Sequence, residues 1–116
     1  MAISLAATKL AVIGGTGLAN SHLFDQYERE HVETSWGVAE VFHGPCLFLQ
    51  RHGPHRTIPP HKINHRANLE AMRQLEVTHI VGVNSVGSLN PDLAPGTLVV
   101  PDDFFSPFEV TTFHDE

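Results

Sequence analysis

The sequence predicts an α/β fold, a mixed twisted β-sheet flanked by helices. Three observations predict it. Short β-rich apolar runs at residues 9–13, 47–49 and 77–83 are each closed by a polar or glycine-rich turn. An amphipathic helical pattern stands between the second run and the third. The stretch "HVETSWGVAEVFHGPCLFLQRHG" reads as two or three strands joined by tight turns, which makes the sheet mixed rather than purely parallel.

The elements follow in order. "KLAVIGG" is a buried strand closed by glycines. "ANSHLFDQYER" forms a short helix or irregular turn with Leu23, Phe24 and Tyr27 inward. The hairpin region turns near Trp36-Gly37 and at Gly44-Pro45. "PHRTIPPHKINHR" carries three prolines and is a loop, because proline can occupy neither a helix interior nor a central strand. Asn64 caps "HRANLEAMRQLE", whose Ala67, Ala71, Met72 and Leu75 share one face. "VTHIVGV" is a buried strand, "SVGSLNPDLAPGT" a loop and "LVVP" a short strand. The segment "DDFFSPFEVTTFHDE" is acidic and rich in Phe, with no helix cap or closing strand.

Composition narrows the function. At 116 residues and 41% hydrophobic, the chain is long and apolar enough for a packed core. A net charge of -6 argues against a nucleic-acid binder, which needs clustered Lys and Arg. A single cysteine, Cys46, excludes an internal disulfide, and its apolar neighbours place it in the core. No stretch reaches the length of a membrane span, and no basic region precedes the first apolar residues. The expected location is cytoplasmic, with neither nucleic-acid nor membrane partners.

Polar residues gather where strands end. The first strand runs into Gly14-Gly15-Thr16-Gly17, the second into Arg51-His52-Gly53, the third into Asn84-Ser85-Val86-Gly87-Ser88. Open α/β sheets collect ligands outside the carboxyl ends of their strands. If the three strands are neighbours, the loops meet, and their donors suit a tetrahedral oxyanion such as phosphate. Gly-Gly-Thr-Gly is neither the GxGxxG fingerprint nor a P-loop. His55, His61 and His65 lack the carboxylate, cysteine or HExxH context of a metal site, so no metal is expected. Asp102-Asp103 reads as an exposed acidic turn rather than a catalytic pair.

"AVIGGTGL", "RHGPHRTIPPHKINHRAN" and "NSVGSLNPDLAPGTLVVPDDF" together resemble the methylthioadenosine phosphorylase branch of the purine nucleoside phosphorylase family. The resemblance runs from about Lys9 to the end of the sequence. It implies phosphorolysis of the N-glycosidic bond of a purine nucleoside, typically 5'-methylthioadenosine or 5'-methylthioinosine. The products would be a free purine and methylthioribose 1-phosphate. It implies no cofactor beyond inorganic phosphate as co-substrate, and a homo-oligomer, trimer or hexamer. By position it assigns phosphate binding to Thr16, Arg51, His52, Asn84 and Ser85. Family members often carry alanine where Ser85 stands and tyrosine where His65 stands.

Full members are about twice as long. The resemblance therefore makes residues 1–116 the N-terminal part of a single phosphorylase domain. It assigns no catalytic residue to this chain and places the purine-reading residues in a complementing C-terminal part. Three expectations follow: a split or cleaved enzyme, a truncation, or a short phosphate-binding or interaction module of the same fold. The first two expect Phe104, Phe105, Phe108 and Phe113 to be uncovered in the isolated chain. A nucleoside hydrolase fits less well, because Thr16, Arg51 and His52 suit phosphate rather than water.

Overall fold

The computed structural model describes residues 8–18, 22–55 and 57–114. The chain divides between Ser85 and Val86 into two compact units. Among its described residues the first holds five strands, β1 (Leu10–Gly14), β2 (Glu28–Thr34), β3 (Gly37–His43), β4 (Leu47–Gln50) and β5 (His79–Gly82), with one α-helix, α1 (His65–Gln74). They form one sheet in the order β2-β3-β4-β1-β5. β2, β3 and β4 pair antiparallel, whereas β4-β1 and β1-β5 pair parallel. The sheet is therefore mixed, as its hairpin-rich middle predicts.

Alternation along the strands divides the side chains between two faces. Ala11, Val32, Ala39, Val41, Leu47 and Leu49 pack with Ala71 and Met72 of α1 in the main core. The aromatic residues make a second cluster. The Phe24 ring meets Phe48 edge-on at 5.0 Å and Phe42 at 5.5 Å, while Tyr27 stacks on Phe48 at 5.9 Å. Phe24 belongs to a short 3-10 turn, His22–Phe24. The expected inward Leu23 side chain and residues 19–21 lie outside the described residues.

Asn64 joins the helix to the hairpin. Its Oδ1 accepts the Ala67 N–H at 3.0 Å, which caps α1, and its Nδ2 donates to the Trp36 carbonyl at 2.8 Å. Trp36 lies in the β2-β3 turn, where its N–H donates to Thr34 Oγ1 and the Thr34 hydroxyl donates to the Gly37 carbonyl. At its other end α1 closes with two reversed bonds, Val77 N–H to Met72 O and Glu76 N–H to Arg73 O, both 3.0 Å. Glu76 stands there with φ +58°, a conformation that suits glycine.

Three expectations are corrected. The run at 77–83 reads as a buried strand, yet β5 spans His79–Gly82 and all four residues are exposed, Ile80 at 44% and Val81 at 48%. The reason is topological: among the described residues β5 sits at the sheet edge and pairs with β1 alone. Residues 98–101, read as a strand, form none. Cys46 is half-buried in the β3-β4 turn rather than in the core; burial raises its thiol pKa. The second unit has turns, such as Leu93 N–H to Asn90 O and Thr97 N–H to Ala94 O, but no helix or strand among its described residues. Phe104, Phe105 and Phe108 are more than four-fifths exposed.

Two substitutions test the helix ends. Glu76→Gly removes a left-handed side-chain penalty and should raise stability by about 1 kcal/mol in urea denaturation. Asn64→Ala should lower it by about 1 kcal/mol or more, through loss of the cap and of the tie to Trp36.

Candidate functional site

The parallel pairing sets the level at which three chains leave the sheet. Gly14 stands opposite Gln50 and Ile13 opposite Gly82. Each ladder continues one residue further, with Arg51 N–H donating to Gly14 O at 3.1 Å and Val83 N–H to Ile13 O at 2.9 Å. The carboxyl ends of β4, β1 and β5 are thus adjacent and on one edge, as the strand-end reading requires.

The 15–18 turn follows β1 and closes with Leu18 N–H to Gly15 O at 3.2 Å. Thr16 is exposed on it. The Arg51 guanidinium lies across the Gly15 backbone. A Cβ at that position would stand 2.9 Å from Arg51 Cζ, closer still to Nη2, and 3.3 Å from the Val83 carbonyl. Arg51 Nη1 donates to Asn84 Oδ1 at 2.5 Å and to Val83 O at 3.3 Å. A Cβ on Gly17 would lie 3.1 Å from Ser85 Oγ. Thr16 therefore stands between two glycines, one approached by Arg51 and the other by Ser85.

The structure thus brings together four of the five residues read from the sequence: Thr16, Arg51, Asn84 and Ser85. His52 is placed differently. Its Nδ1 bonds the Ile58 carbonyl at 2.9 Å, and Ile58 N–H returns to His52 O at 3.1 Å. A carbonyl only accepts, so Nδ1 is the donor in this bond. The ring is fastened to the loop after β4, where Gly53 adopts φ +75° close to Ile58.

Sequence reasoning missed two participants. One is Gly15, whose part is the absence of a side chain. The other is the Val83 carbonyl. A further signal is legible in the sequence. No Asp or Glu occurs between Glu40 and Glu70, a stretch carrying Arg51, Arg56, Lys62 and Arg66. An acidic chain thereby keeps the sequence around Arg51 free of carboxylates. Among the described residues no three His, Cys, Asp or Glu side chains come together as metal ligands, and no helix is long and apolar enough to cross a membrane.

These features define an α/β protein of the open-sheet class, with polar loops gathered at the carboxyl edge of adjacent parallel strands. The chain belongs to the phosphorylase superfamily, whose family model matches residues 9–115. It is 44% identical to a protein of Methanocaldococcus jannaschii named "Probable S-methyl-5'-thioinosine phosphorylase", over 92% of this chain and 44% of that protein. It is 40% identical to the S-methyl-5'-thioadenosine phosphorylase of Hyperthermus butylicus, over 92% of this chain and 42% of that protein. The methylthioadenosine phosphorylase from Schistosoma mansoni in complex with adenine superposes with a TM-score of 0.68 at 38% identity, covering 77% of this chain and 35% of that one. The chain spans less than half the length of these curated relatives.

Proposed function

We propose that this chain supplies the phosphate half-site of a purine nucleoside phosphorylase acting on 5'-methylthioadenosine or 5'-methylthioinosine. The observation that carries the reading is the Arg51 guanidinium, held where three strand ends meet the Thr16 turn. A guanidinium offers phosphate a charged two-pronged donor, and the Thr16 and Ser85 hydroxyls with the Asn84 amide add further hydrogen bonds. His52, next in sequence, is the fifth member of the proposed set, with its Nδ1 already engaged by the Ile58 carbonyl.

In the reaction a phosphate oxygen forms a bond to the anomeric carbon while the bond from that carbon to the purine nitrogen breaks. The bond electrons leave with the purine, which gains a proton, and the sugar becomes a 1-phosphate. The sugar passes through an oxocarbenium-like state, so a phosphate fixed beside it stabilises the developing charge and removes the entropic cost of meeting. These residues bind and orient the attacking reagent. The groups that would protonate and read the purine belong to a complementing C-terminal part, with which residues 1–116 would complete one domain. The complete unit would be a cytoplasmic homo-oligomer, a trimer or hexamer, needing no metal or organic cofactor.

Exposed apolar residues support the complementing part. β5 presents Ile80 and Val81 to solvent, and its sequence HIVG has none of the lysine or proline that blunts a free edge. Phe104, Phe105, Phe108 and Phe113 are exposed as well. The same exposure favours a second reading, a non-catalytic phosphate-binding or interaction module. Intact mass and native size of the purified protein separate the two. A second polypeptide in the assembly supports the enzyme; a stable lone monomer supports the module.

In the active assembly, turnover of methylthioadenosine, methylthioinosine, adenosine and inosine with and without phosphate assigns the substrate. Arg51→Ala should abolish phosphate-dependent turnover; unchanged activity removes Arg51 from the site. Thr16→Val should raise the phosphate KM about tenfold, the worth of a hydrogen bond to a charged group, with the nucleoside KM changed far less.

A further inference from the structure

We infer that Gly15 and Asn84 are positioning residues for Arg51, and that the guanidinium reaches its place only because position 15 carries no side chain. The inference deepens the proposed phosphate site and rests on it for the anion concerned.

Glycine in a turn usually answers a backbone need, a positive φ that other residues avoid. Gly37, Gly53 and Gly96 do so here, at +123°, +75° and +88°, but Gly15 is not among the positive-φ glycines. Its backbone is open to alanine. What excludes alanine is the space above it, where a Cβ would stand 2.9 Å from Arg51 Cζ and closer still to Nη2. Side-chain carbons do not approach other heavy atoms that closely, so one partner must give. The backbone is held by Gly14 O, which accepts the Arg51 N–H, and by the Leu18 N–H that closes the turn on Gly15 O. The Arg51 side chain is therefore the part displaced. Gly14 and Gly17 differ in what a Cβ would meet, Leu18 Cδ1 at 2.8 Å and Cβ at 3.3 Å or Ser85 Oγ at 3.1 Å, and neither touches the guanidinium.

Asn84 holds the guanidinium by its other terminal nitrogen, Nη1. Its Oδ1 and the Val83 carbonyl both accept from Arg51 Nη1. With Oδ1 engaged, Asn84 has its Nδ2 donors left for a ligand. A long side chain with several rotatable bonds is thus fixed by a flat backbone beneath it and two acceptors beside it. Ordering it before the anion arrives lowers the cost of binding. The second glycine of the Gly-Gly-Thr-Gly run specifies where the arginine lies.

The test is a double-mutant cycle, Gly15→Ala with Arg51→Lys, in the native assembly with inorganic phosphate as probe. A lysine ammonium lacks the planar head group that covers position 15. Gly15→Ala should weaken phosphate binding about tenfold or more in the wild-type background, and less than about twofold in the Arg51→Lys background. Equal losses in the two backgrounds overturn the inference.

NMR of the Arg51 guanidinium provides a readout that needs no phosphate. The wild-type signals should be resolved and slowly exchanging, and both Gly15→Ala and Asn84→Ala should average them. Asn84 is exposed, so its variant serves if Gly15→Ala fails to fold. Unchanged Arg51 signals in the folded variants overturn the inference. If wild-type protein binds no phosphate yet Arg51 is released in these variants, the phosphate reading falls and the positioning role stands.

Discussion

Strand β1 has a parallel partner on each side, and the first unit is organised around that double pairing. β4 on one edge and β5 on the other copy its direction and its level. The ladder bonds from Arg51 and Val83 extend this alignment past the strands themselves. A shift of one residue in either register would turn the core face of that strand outward and move its loop along the sheet edge. Geometry at the Thr16 turn is therefore inherited from the backbone hydrogen bonds of the sheet. The antiparallel hairpin is coupled to it through β3-β4, and α1 is fastened above by Ala71 and Met72.

Charge distribution is compatible with the proposed anion site on an acidic chain. Thirteen carboxylates outnumber seven lysines and arginines, but none falls between residues 41 and 69. At physiological salt a charge acts over roughly 8 Å, so a local surplus matters more than the total. Arg66 is turned toward the Trp36 ring, 4.9 Å from its centroid, and Arg29 toward Phe42. Arg51, by contrast, is held by neutral acceptors, a carbonyl and an amide oxygen, which leave its charge uncompensated.

Much of this was legible in the sequence because it is local. Asn64 before an amphipathic run, glycines closing β1 and the turn at Trp36-Gly37 are decided within a few residues, and they stand as read. The meeting of three polar strand ends was legible too, since each loop could be recognised separately and the topology had only to make their strands neighbours. β5 was misread because an apolar run records that a surface is to be covered, but not by which part of the molecule. Residues 98–101 lack a strand because β propensity becomes a strand only on pairing, and none of them pairs with a described strand. The Gly15 contact was invisible because it depends on a side chain far along the sequence, whose approach the pattern of neighbours does not encode. His52 was recognised by its place beside Arg51, while its bond to Ile58 depends on how the intervening loop folds back.

The strand order also carries a consequence for the time course of folding. β2 and β3 meet across a turn from Thr34 to Gly37, so their pairing closes almost no loop entropy. β1 is the earliest strand in the chain but waits for partners much further along, and Lys9 bonds Thr78 at a separation of 69 residues. Such distant pairings form slowly, after nearby ones have reduced the chain's freedom. The strand that leads into Thr16 thus has both of its neighbours later in the chain, so the arrangement of the polar loops depends on the most distant pairings in the sheet.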